Sequence, residues 1–254
     1  MLEFRALRFG HWIGMSIQCH EGGLPTREPT RAASARFGFA RVTPGSKSVR
    51  RRLLAMRMVG ETVHIRNIET RVQSKKGKLM SVSYAQRRRD GDQQHRKREI
   101  YDSGNSAVIL PYDPVRRTVL LTRQLRLPIF LQDGKEKALE ACAGKLDGAT
   151  AEERIRKEIE EELGYRIVEV ERLFELYVSP ASIMEKVVFF TCSYSPTQKR
   201  SRGGGLKEEG EDIEIVEITL ENSANMIGTG EIIDAKTVVL IQYLSERVRT
   251  PKSL

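Results

Sequence analysis

The chain has 254 residues and is 39% hydrophobic, which is enough for a folded core, and no apolar run nears the roughly 18 residues of a membrane-spanning helix. The net charge is +9, but nine Arg and one Lys against three Glu fall within residues 1–55, so the remainder is nearly neutral and nucleic acid is not the expected partner. The three cysteines have no CxxC spacing and the N-terminus lacks a signal-peptide pattern, so we expect no disulfides, zinc or export, and a cytoplasmic location.

Residues 1–55 mix Arg, Ser, Gly and Pro and hold no helical or alternating period. This composition predicts a disordered basic extension. A basic arm that touches nucleic acid or acidic lipid, or a degenerate targeting segment, is the alternative. Met56 and Met58 open the first stretch with strand-like alternation, so we consider them candidate translation starts.

From residue 56 onward the chain alternates extended and helical patterns, which predicts an α/β or α+β sandwich. Strands are predicted at residues 62–71, 79–87, 107–112, 118–123, 167–178, 186–194 and 212–218. Helices are predicted at residues 150–163, 220–228 and 234–248. Residues 201–210 are rich in glycine and then acidic, which predicts a mobile loop.

The helix at residues 150–163 has the clearest boundaries. Thr150 and Glu153 form a capping-box pattern at its start, and Gly164 stands where a left-handed residue would end it. At 100° per residue its buried stripe comprises Ala151, Ile155, Ile159 and Leu163. Glu162 falls inside this stripe.

Three carboxylates on this helix, Glu158, Glu161 and Glu162, form one cluster that is partly turned toward the protein. Like charges at these spacings destabilise a helix by about 0.2 to 0.5 kcal/mol per pair, so a compensating cation is needed. Arg154 and Lys157 could supply it, which would make this an ordinary ion-paired acidic helix. The functional interpretation is a hard divalent cation such as Mg²⁺ held by carboxylate oxygens.

From Gly144 the segment GKLDGATAEERIRKEIEEELGY resembles the Nudix box, whose pattern is G x5 E x7 R E U x E E x G U with U apolar. The core EIEEELGY matches closely. Lys157 stands where Arg is usual, Thr150 stands where the first Glu is expected, and the interval from Gly144 is one residue shorter. Because Thr150 caps the helix, we interpret that exchange as structural.

The resemblance covers about residues 71–245 and is closest to the GDP-mannose pyrophosphatase branch of the Nudix superfamily. The matching stretches are RKREIYDSGN, VLLTRQLRLP, LEACAGKLD, IRKEIEEELGY, LFELYVSP, RGGGLKEEGEDIEI and TGEIIDAKTVVL. The resemblance implies a Nudix fold of mixed sheets between helices, with a β region at residues 56–104 used for dimerisation and a hydrolase domain at residues 105–250. It also implies a homodimer whose protomers exchange N-terminal strands.

The resemblance also implies roles for particular residues. The Ala143 carbonyl, Glu158, Glu162 and Glu211 would hold Mg²⁺, and Glu211 or Glu161 would act as the catalytic carboxylate, with Glu208 and Glu209 as rivals. Gly203–Gly205 would let the acidic loop move. The residues that would contact the nucleotide sugar are Lys97, Arg98, Glu99, Arg126, Glu185 and Lys236. Arg126 is chemically apt because a guanidinium binds two phosphate oxygens at once.

The expected activity is Mg²⁺-dependent hydrolysis of a nucleoside diphosphate sugar. GDP-mannose is the leading candidate substrate, and its products would be GMP and mannose 1-phosphate. Two alternatives remain: an ADP-ribose pyrophosphatase, and a catalytically weak Nudix domain that binds nucleotides as a sensor. The resemblance expects an aromatic residue near Lys76, and a glycine pair where Ala181 and Ser182 stand. These departures leave base and sugar specificity open.

Overall fold

A computed structural model describes residues 60–250 of the chain. The predictions made for residues 1–55, and for the start positions at Met56 and Met58, lie outside this range. Three antiparallel strands open the described part in the order β1–β2–β3. They are β1 (Val63–Gln73), β2 (Lys78–Arg87) and β3 (Gln93–Asp102).

A second, mixed sheet contains seven strands. They are β4 (Ser106–Asp113), β5 (Thr118–Leu125), β6 (Lys137–Glu140), β7 (Cys142–Lys145), β8 (Glu171–Tyr177), β9 (Lys186–Ser193) and β10 (Glu214–Thr219). Five of them follow the order β10–β5–β4–β9–β8, with β4 parallel to β9.

The strands β4 and β5 form a fork that positions the site described below. They pair only beside their connecting turn, at Tyr112 with Val119 and at Asp113 with Thr118. Beyond this point they separate, and β6 pairs with β5 while β7 pairs with β4. The chain therefore crosses the fork at Ala141, between the two short strands.

Within residues 60–250, four α-helices accompany the sheets: α1 (Leu127–Asp133), α2 (Ala151–Glu158), α3 (Leu220–Thr229) and α4 (Ala235–Arg249). A wider π-helical turn, Ile159–Leu163, continues α2. No helix within residues 60–250 is long and apolar enough to cross a membrane.

Alternate residues of the central strands point to opposite faces of the mixed sheet, and each face packs against helices. Ala107 and Ile109 of β4 pack against α2, whereas Val108 and Leu110 lie on the opposite face and pack against α4. This confirms the predicted fold class, mixed sheets between helices in an α+β architecture.

Several elements differ from their prediction. The strand predicted at residues 167–178 is observed only as Glu171–Tyr177. The elements β3, α1, β6 and β7 were not predicted. The charged run Arg96–Glu99 in β3 is exposed on both faces, so it shows no alternation, while α1 has only seven residues and buries none of them.

The capping box at the start of α2 is present as predicted. The Thr150 hydroxyl accepts a hydrogen bond from the Glu153 amide at 3.2 Å, and the Thr150 amide donates to Glu153 Oε2 at 3.0 Å. This supports the structural interpretation of Thr150 in place of the usual acidic residue.

Replacing Thr150 by alanine should lower the free energy of unfolding by about 1 kcal/mol, because the helix loses its N-cap acceptor. Denaturant titration of Thr150→Ala and Thr150→Ser would measure this loss. We expect serine to retain most of the stability, since its hydroxyl can accept the same bond. Equal losses in the two variants would contradict a capping role.

Candidate active site

The acidic cluster of α2 is buried against the sheet. Glu158 is 5% exposed and Glu162 is 2% exposed. Burial, reinforced by the neighbouring carboxylates, raises the pKa of Glu158 to about 7. Burial likewise raises the pKa of Glu162 to about 8, with the charges of Glu158 and Glu211 acting in the same direction. The cluster therefore holds two carboxyl groups where water cannot solvate their charged forms.

The carboxylate of Glu158 lies directly on the backbone of β7. A Cβ atom built on Gly144 would overlap its side chain, from Cγ to Oε1. On the helix side, Arg154 Nε lies 2.7 Å from Glu158 Oε1, although its N–H does not align with that oxygen. The contact is therefore electrostatic, and only a residue without a side chain fits at position 144.

Glu162 distinguishes this cluster from an ordinary ion-paired helix. Arg154 pairs with Glu158, and Lys157 pairs with Glu161 at 2.9 Å, so part of the ion-paired alternative is observed. Within residues 60–250, however, no Lys or Arg forms an ion pair with Glu162, and its Oε2 has no hydrogen-bond partner. A buried carboxylate oxygen without a partner is costly, so a bound cation would stabilise the ionised form of Glu162.

The glycine-rich loop is fastened to the end of the acidic helix. Gly204 N donates to the Glu162 carbonyl at 2.9 Å, and Gly205 N donates to the Glu161 carbonyl at 3.0 Å. These bonds satisfy carbonyls that a helix end leaves unpaired. A Cβ on Gly203 would lie 2.5 Å from the Glu162 carbonyl oxygen. The glycines thus allow close backbone contact, a different role from the predicted mobility, which stays untested.

This docked loop brings Glu211 to the cluster. Glu211 Oε2 accepts a hydrogen bond from the Leu206 amide at 2.8 Å, and a Cβ on Gly205 would lie 2.5 Å from the same oxygen. The charge of Glu211 raises the pKa of both buried carboxylates, as expected for a near neighbour. Its rivals Glu208 and Glu209 are exposed in a short helical turn of the loop.

The oxygen donors of the acidic cluster are chemically suited to a hard cation, but they do not yet point to a common centre. Across residues 60–250, no three His, Cys, Asp or Glu side chains converge in metal-binding geometry. The reason is visible in two of the predicted ligands: Glu158 contacts Arg154, and Glu211 is bound to the Leu206 amide. Adjacent oxygen donors, one of them an unpaired buried oxygen, nevertheless match the chemistry that Mg²⁺ prefers.

Arg126 lies at the start of α1, beside the acidic cluster. Its Nε donates to Glu140 Oε2 at 2.5 Å, and Glu140 itself is buried at the end of β6. The charge of Arg126 lowers the pKa of Glu162, which opposes part of the effect of burial. Glu140 therefore orients this guanidinium at the edge of the acidic cluster.

Glu185 contacts the C-terminal end of β7, and Lys236 precedes a residue that contacts the fork crossing at Ala141. Glu185 Oε1 accepts hydrogen bonds from Lys145 Nζ at 2.7 Å and from the Ser106 hydroxyl at 2.8 Å. Lys236 Nζ lies 2.6 Å from Asp234 Oδ1, at the start of α4. In the next residue of that helix, the Thr237 hydroxyl accepts from the Ala141 amide at 2.7 Å.

Lys97, Arg98 and Glu99 are not brought to this cluster within one chain. They lie exposed on β3, and no hydrogen bond or ion pair in the described range joins them to Glu158 or Glu162. Lys76, Ala181 and Ser182, where the sequence departs from the family pattern, are exposed as well.

Three residues at the site were not singled out from the sequence: Glu140, Cys142 and Lys145. They belong to the stretch LEACAGKLD, in which Glu140, Cys142 and Gly144 alternate with Ala141 and Ala143. That alternation was the sequence signal from which these residues could have been predicted. The signal is short because β6 and β7 have only four residues each.

The raised pKa values predict how stability depends on pH when metal is absent. A carboxyl whose folded pKa exceeds its unfolded value binds a proton on folding, so its deprotonation opposes folding. Stability should therefore fall as pH rises from about 4.5, the ordinary value, through about 7 for Glu158 and about 8 for Glu162. Melting temperatures measured in chelator across this range, and again with divalent cation, would test this. A flat profile in chelator would contradict it.

We compared the chain with known proteins by family model, by structure and by sequence. No family model matches the sequence. The structure resembles the crystal structure of an ADP compounds hydrolase, with a TM-score of 0.58 and 18% identity over 74% of this chain and 95% of that one. This similarity shows that the chain shares the fold of that hydrolase.

Curated relatives identify the family more closely. A GDP-mannose pyrophosphatase of Escherichia coli (strain K12) is 44% identical over 167 residues, covering 65% of this chain and 86% of the relative. One from Citrobacter koseri is 45% identical over the same shares. The chain belongs to the GDP-mannose pyrophosphatase family of Nudix hydrolases.

Proposed function

We propose that the protein hydrolyses the pyrophosphate bond of a nucleoside diphosphate sugar with the help of Mg²⁺, and that GDP-mannose is converted to GMP and mannose 1-phosphate. The unpaired, buried oxygen of Glu162 is the observation that carries this proposal, because this oxygen lies beside two other carboxylates and is available to a cation. The names of the curated relatives support the substrate class.

Glu158, Glu162, Glu211 and the Ala143 carbonyl would hold the cation. When bound, Mg²⁺ neutralises phosphate charge and lowers the pKa of a coordinated water, which supplies the nucleophile. The chain contributes preorganisation: Gly144 fixes where the Glu158 carboxylate lies, and the loop 203–205 fixes the end of the helix that bears Glu162. Both carboxylates thus remain in place as charge changes on the phosphates.

Arg126 would bind the pyrophosphate. Nε is occupied by Glu140, which leaves the terminal nitrogens of the guanidinium to donate to phosphate oxygens. Because Glu140 is buried and fixed in β6, it limits the orientations open to Arg126. Lys236 and Glu185 would contact the remaining parts of the nucleotide sugar, at the two sides of the fork.

The carboxylate that accepts the proton of the attacking water would be Glu211, with Glu161 as the second choice. Glu211→Gln should lower kcat by at least about a hundredfold if it is the base or a metal ligand. Glu208→Gln and Glu209→Gln are matched controls from the same loop. A larger loss in either control would transfer the role to that residue.

Release of nucleoside monophosphate from GDP-mannose, other GDP-sugars, ADP-ribose and UDP-sugars tests the proposed substrate. We expect kcat/KM to be highest for GDP-mannose and to require Mg²⁺. Highest activity on ADP-ribose would contradict the proposal. We would then attribute the different substrate preference to Lys76, Ala181 and Ser182, where the sequence departs from the family pattern. Inactivity on every substrate would favour a nucleotide-binding sensor.

We further propose that residues 56–104 form a dimerisation region, that residues 105–250 form the hydrolase domain, and that two protomers exchange N-terminal strands in the cytoplasm. Lys97–Glu99 are exposed within one protomer, which leaves them free to serve the neighbouring site. A mixture of inactive Glu162→Gln and Lys97→Ala/Arg98→Ala protomers tests the exchange. Random reassociation should restore about a quarter of the wild-type activity if sites are shared, and none if each chain builds its own.

A further inference from the structure

A lysine at the end of β7 joins three segments of the chain. Lys145 Nζ donates to Glu185 Oε1, in the loop before β9, at 2.7 Å, and to the Ser103 hydroxyl, between β3 and β4, at 3.1 Å. It also donates to the Gly104 carbonyl at 3.4 Å. An ammonium group has three donors, so all of them are used inside the protein. Lys145 therefore has no donor left for a phosphate oxygen.

Glu185 receives both of its side-chain hydrogen bonds on one oxygen. The Ser106 hydroxyl, at the start of β4, donates to Oε1 at 2.8 Å, beside the bond from Lys145. Ser106 is 7% exposed, so this bond comes from inside the protein. Within residues 60–250, no hydrogen bond reaches Oε2. The carboxylate is thus fixed through one oxygen and keeps the other as an acceptor.

The backbone on both sides of Glu185 is held as well. The Met184 amide donates to the Tyr101 carbonyl at 2.8 Å, and the Lys186 amide donates to the Asn105 side chain at 3.0 Å. A partly exposed ion pair would by itself contribute little. Here the main chain is already fixed, so the bonds from the side chains decide where the carboxylate points.

We propose that Lys145 is a positioning residue of the substrate site, which together with Ser106 holds Oε1 of Glu185 so that Oε2 accepts a hydrogen bond from a hydroxyl group of the nucleotide sugar. This rests on the proposed function, because it takes Glu185 as a contact to the substrate. Ionised phosphates offer no donor to a carboxylate and repel its charge, whereas hydroxyl groups are donors that all nucleotide sugars carry. The fixed carboxylate therefore suits a sugar ring and not the pyrophosphate.

Substrate kinetics test the positioning role. Lys145→Met should raise KM by about tenfold and change kcat by less than about twofold, because it loosens a binding contact that does not touch the reacting phosphates. Lys186→Met is the matched control, since Lys186 is similarly exposed and pairs with Glu175 instead. This control should keep the wild-type KM. Equal KM values in the two variants would overturn the proposal.

A double-mutant cycle shows whether Lys145 acts through Glu185. In a Glu185→Ala background, where the acceptor is gone, Lys145→Met should change KM by less than about twofold. An increase of about tenfold in that background as well would mean that Lys145 acts independently of Glu185. That result would overturn the positioning role.

Ser106→Ala keeps the ion pair and removes only the second donor to Oε1. It should raise KM by a smaller factor than Lys145→Met and leave kcat at the wild-type value, because a neutral donor is weaker than a charged one. The exchange deletes one oxygen atom, so it tests the proposal even if Lys145→Met does not fold. An unchanged KM in Ser106→Ala would overturn the proposed anchoring of Oε1.

The two proposals fail in different ways. Because all nucleotide sugars carry hydroxyl groups, the kinetics can use whichever substrate is cleaved fastest, so a preference for ADP-ribose refutes GDP-mannose as the substrate and leaves the test of Lys145 intact. If the wild type cleaves none, isothermal titration calorimetry with GDP-mannose and ADP-ribose measures Kd instead. Weaker binding in Lys145→Met but not in Lys186→Met would support the positioning role. Equal affinity in the two variants, or no binding by the wild type, would overturn it.

Discussion

Glu162→Gln should lower the kcat of metal-dependent pyrophosphate hydrolysis by about a thousandfold, because an amide cannot replace the charge of a carboxylate that binds the cation. The amide has nearly the same shape, so the fold should persist. In the absence of metal this variant should even be more stable than wild type above neutral pH. The buried carboxylate, whose pKa burial raises to about 8, no longer has to be deprotonated inside the protein.

Glu160→Gln is the matched control, since Glu160 is exposed on the same helical turn. It should keep the wild-type kcat and the wild-type Mg²⁺ dependence. Steady-state rates across a Mg²⁺ titration, together with melting curves in chelator, distinguish the two variants. A full rate with normal Mg²⁺ dependence in Glu162→Gln would remove Glu162 from the metal site.

Gly144→Ala should reduce kcat/KM by about a hundredfold although it adds a single methyl group. That methyl would overlap the Glu158 carboxylate, so either the side chain or β7 has to move. Displacement of a reacting group by about 1 Å is enough for a loss of this size. We expect the Mg²⁺ requirement to rise in parallel, because Glu158 is a proposed ligand.

Gly228→Ala is the control for backbone effects. Gly228 lies within α3, has no neighbouring atom within 4 Å of a built Cβ, and needs no positive φ angle. Alanine is the better helix former, so this variant should be as stable as wild type or slightly more stable, with unchanged kinetics. Wild-type kcat/KM in Gly144→Ala would show that the Glu158 contact is dispensable.

The acidic helix could be predicted from the sequence because the signals for a helix are local. The cap at Thr150, the apolar stripe and the terminal Gly164 all lie within one continuous segment. The same period places Glu162 inside the buried stripe, as the structure shows. The predicted fold class followed from the alternation of such segments, and relatives confirm the family.

The short elements around the fork could not be predicted in this way. Each of β6 and β7 has four residues, too few to display a period, and each is defined by pairing with β5 or β4. The strand β3 carries charged residues on both faces, so its sequence resembles a solvated run. Its strand conformation comes from pairing with β2 over ten residues.

The glycines show the same limit in the interpretation of a loop. A run of three glycines predicted mobility, which stays a prediction. The sequence did not predict that backbone atoms of Gly203–Gly205 contact the helix end and Glu211. Conformational freedom and close approach require the same residue type. Only the position of the neighbouring element distinguishes them.

The sequence by itself was enough to predict the family, the acidic helix and the carboxylates that we propose as metal ligands. Each of these predictions depends on a motif of consecutive residues. The tertiary structure decided which groups surround them: Gly144 lies against the Glu158 carboxylate, and Glu140 binds Arg126. The physical reason is that a period reports which face of an element is buried, but not what lies opposite. Those partners come from distant strands, and they meet only when the fork and the helix pack together.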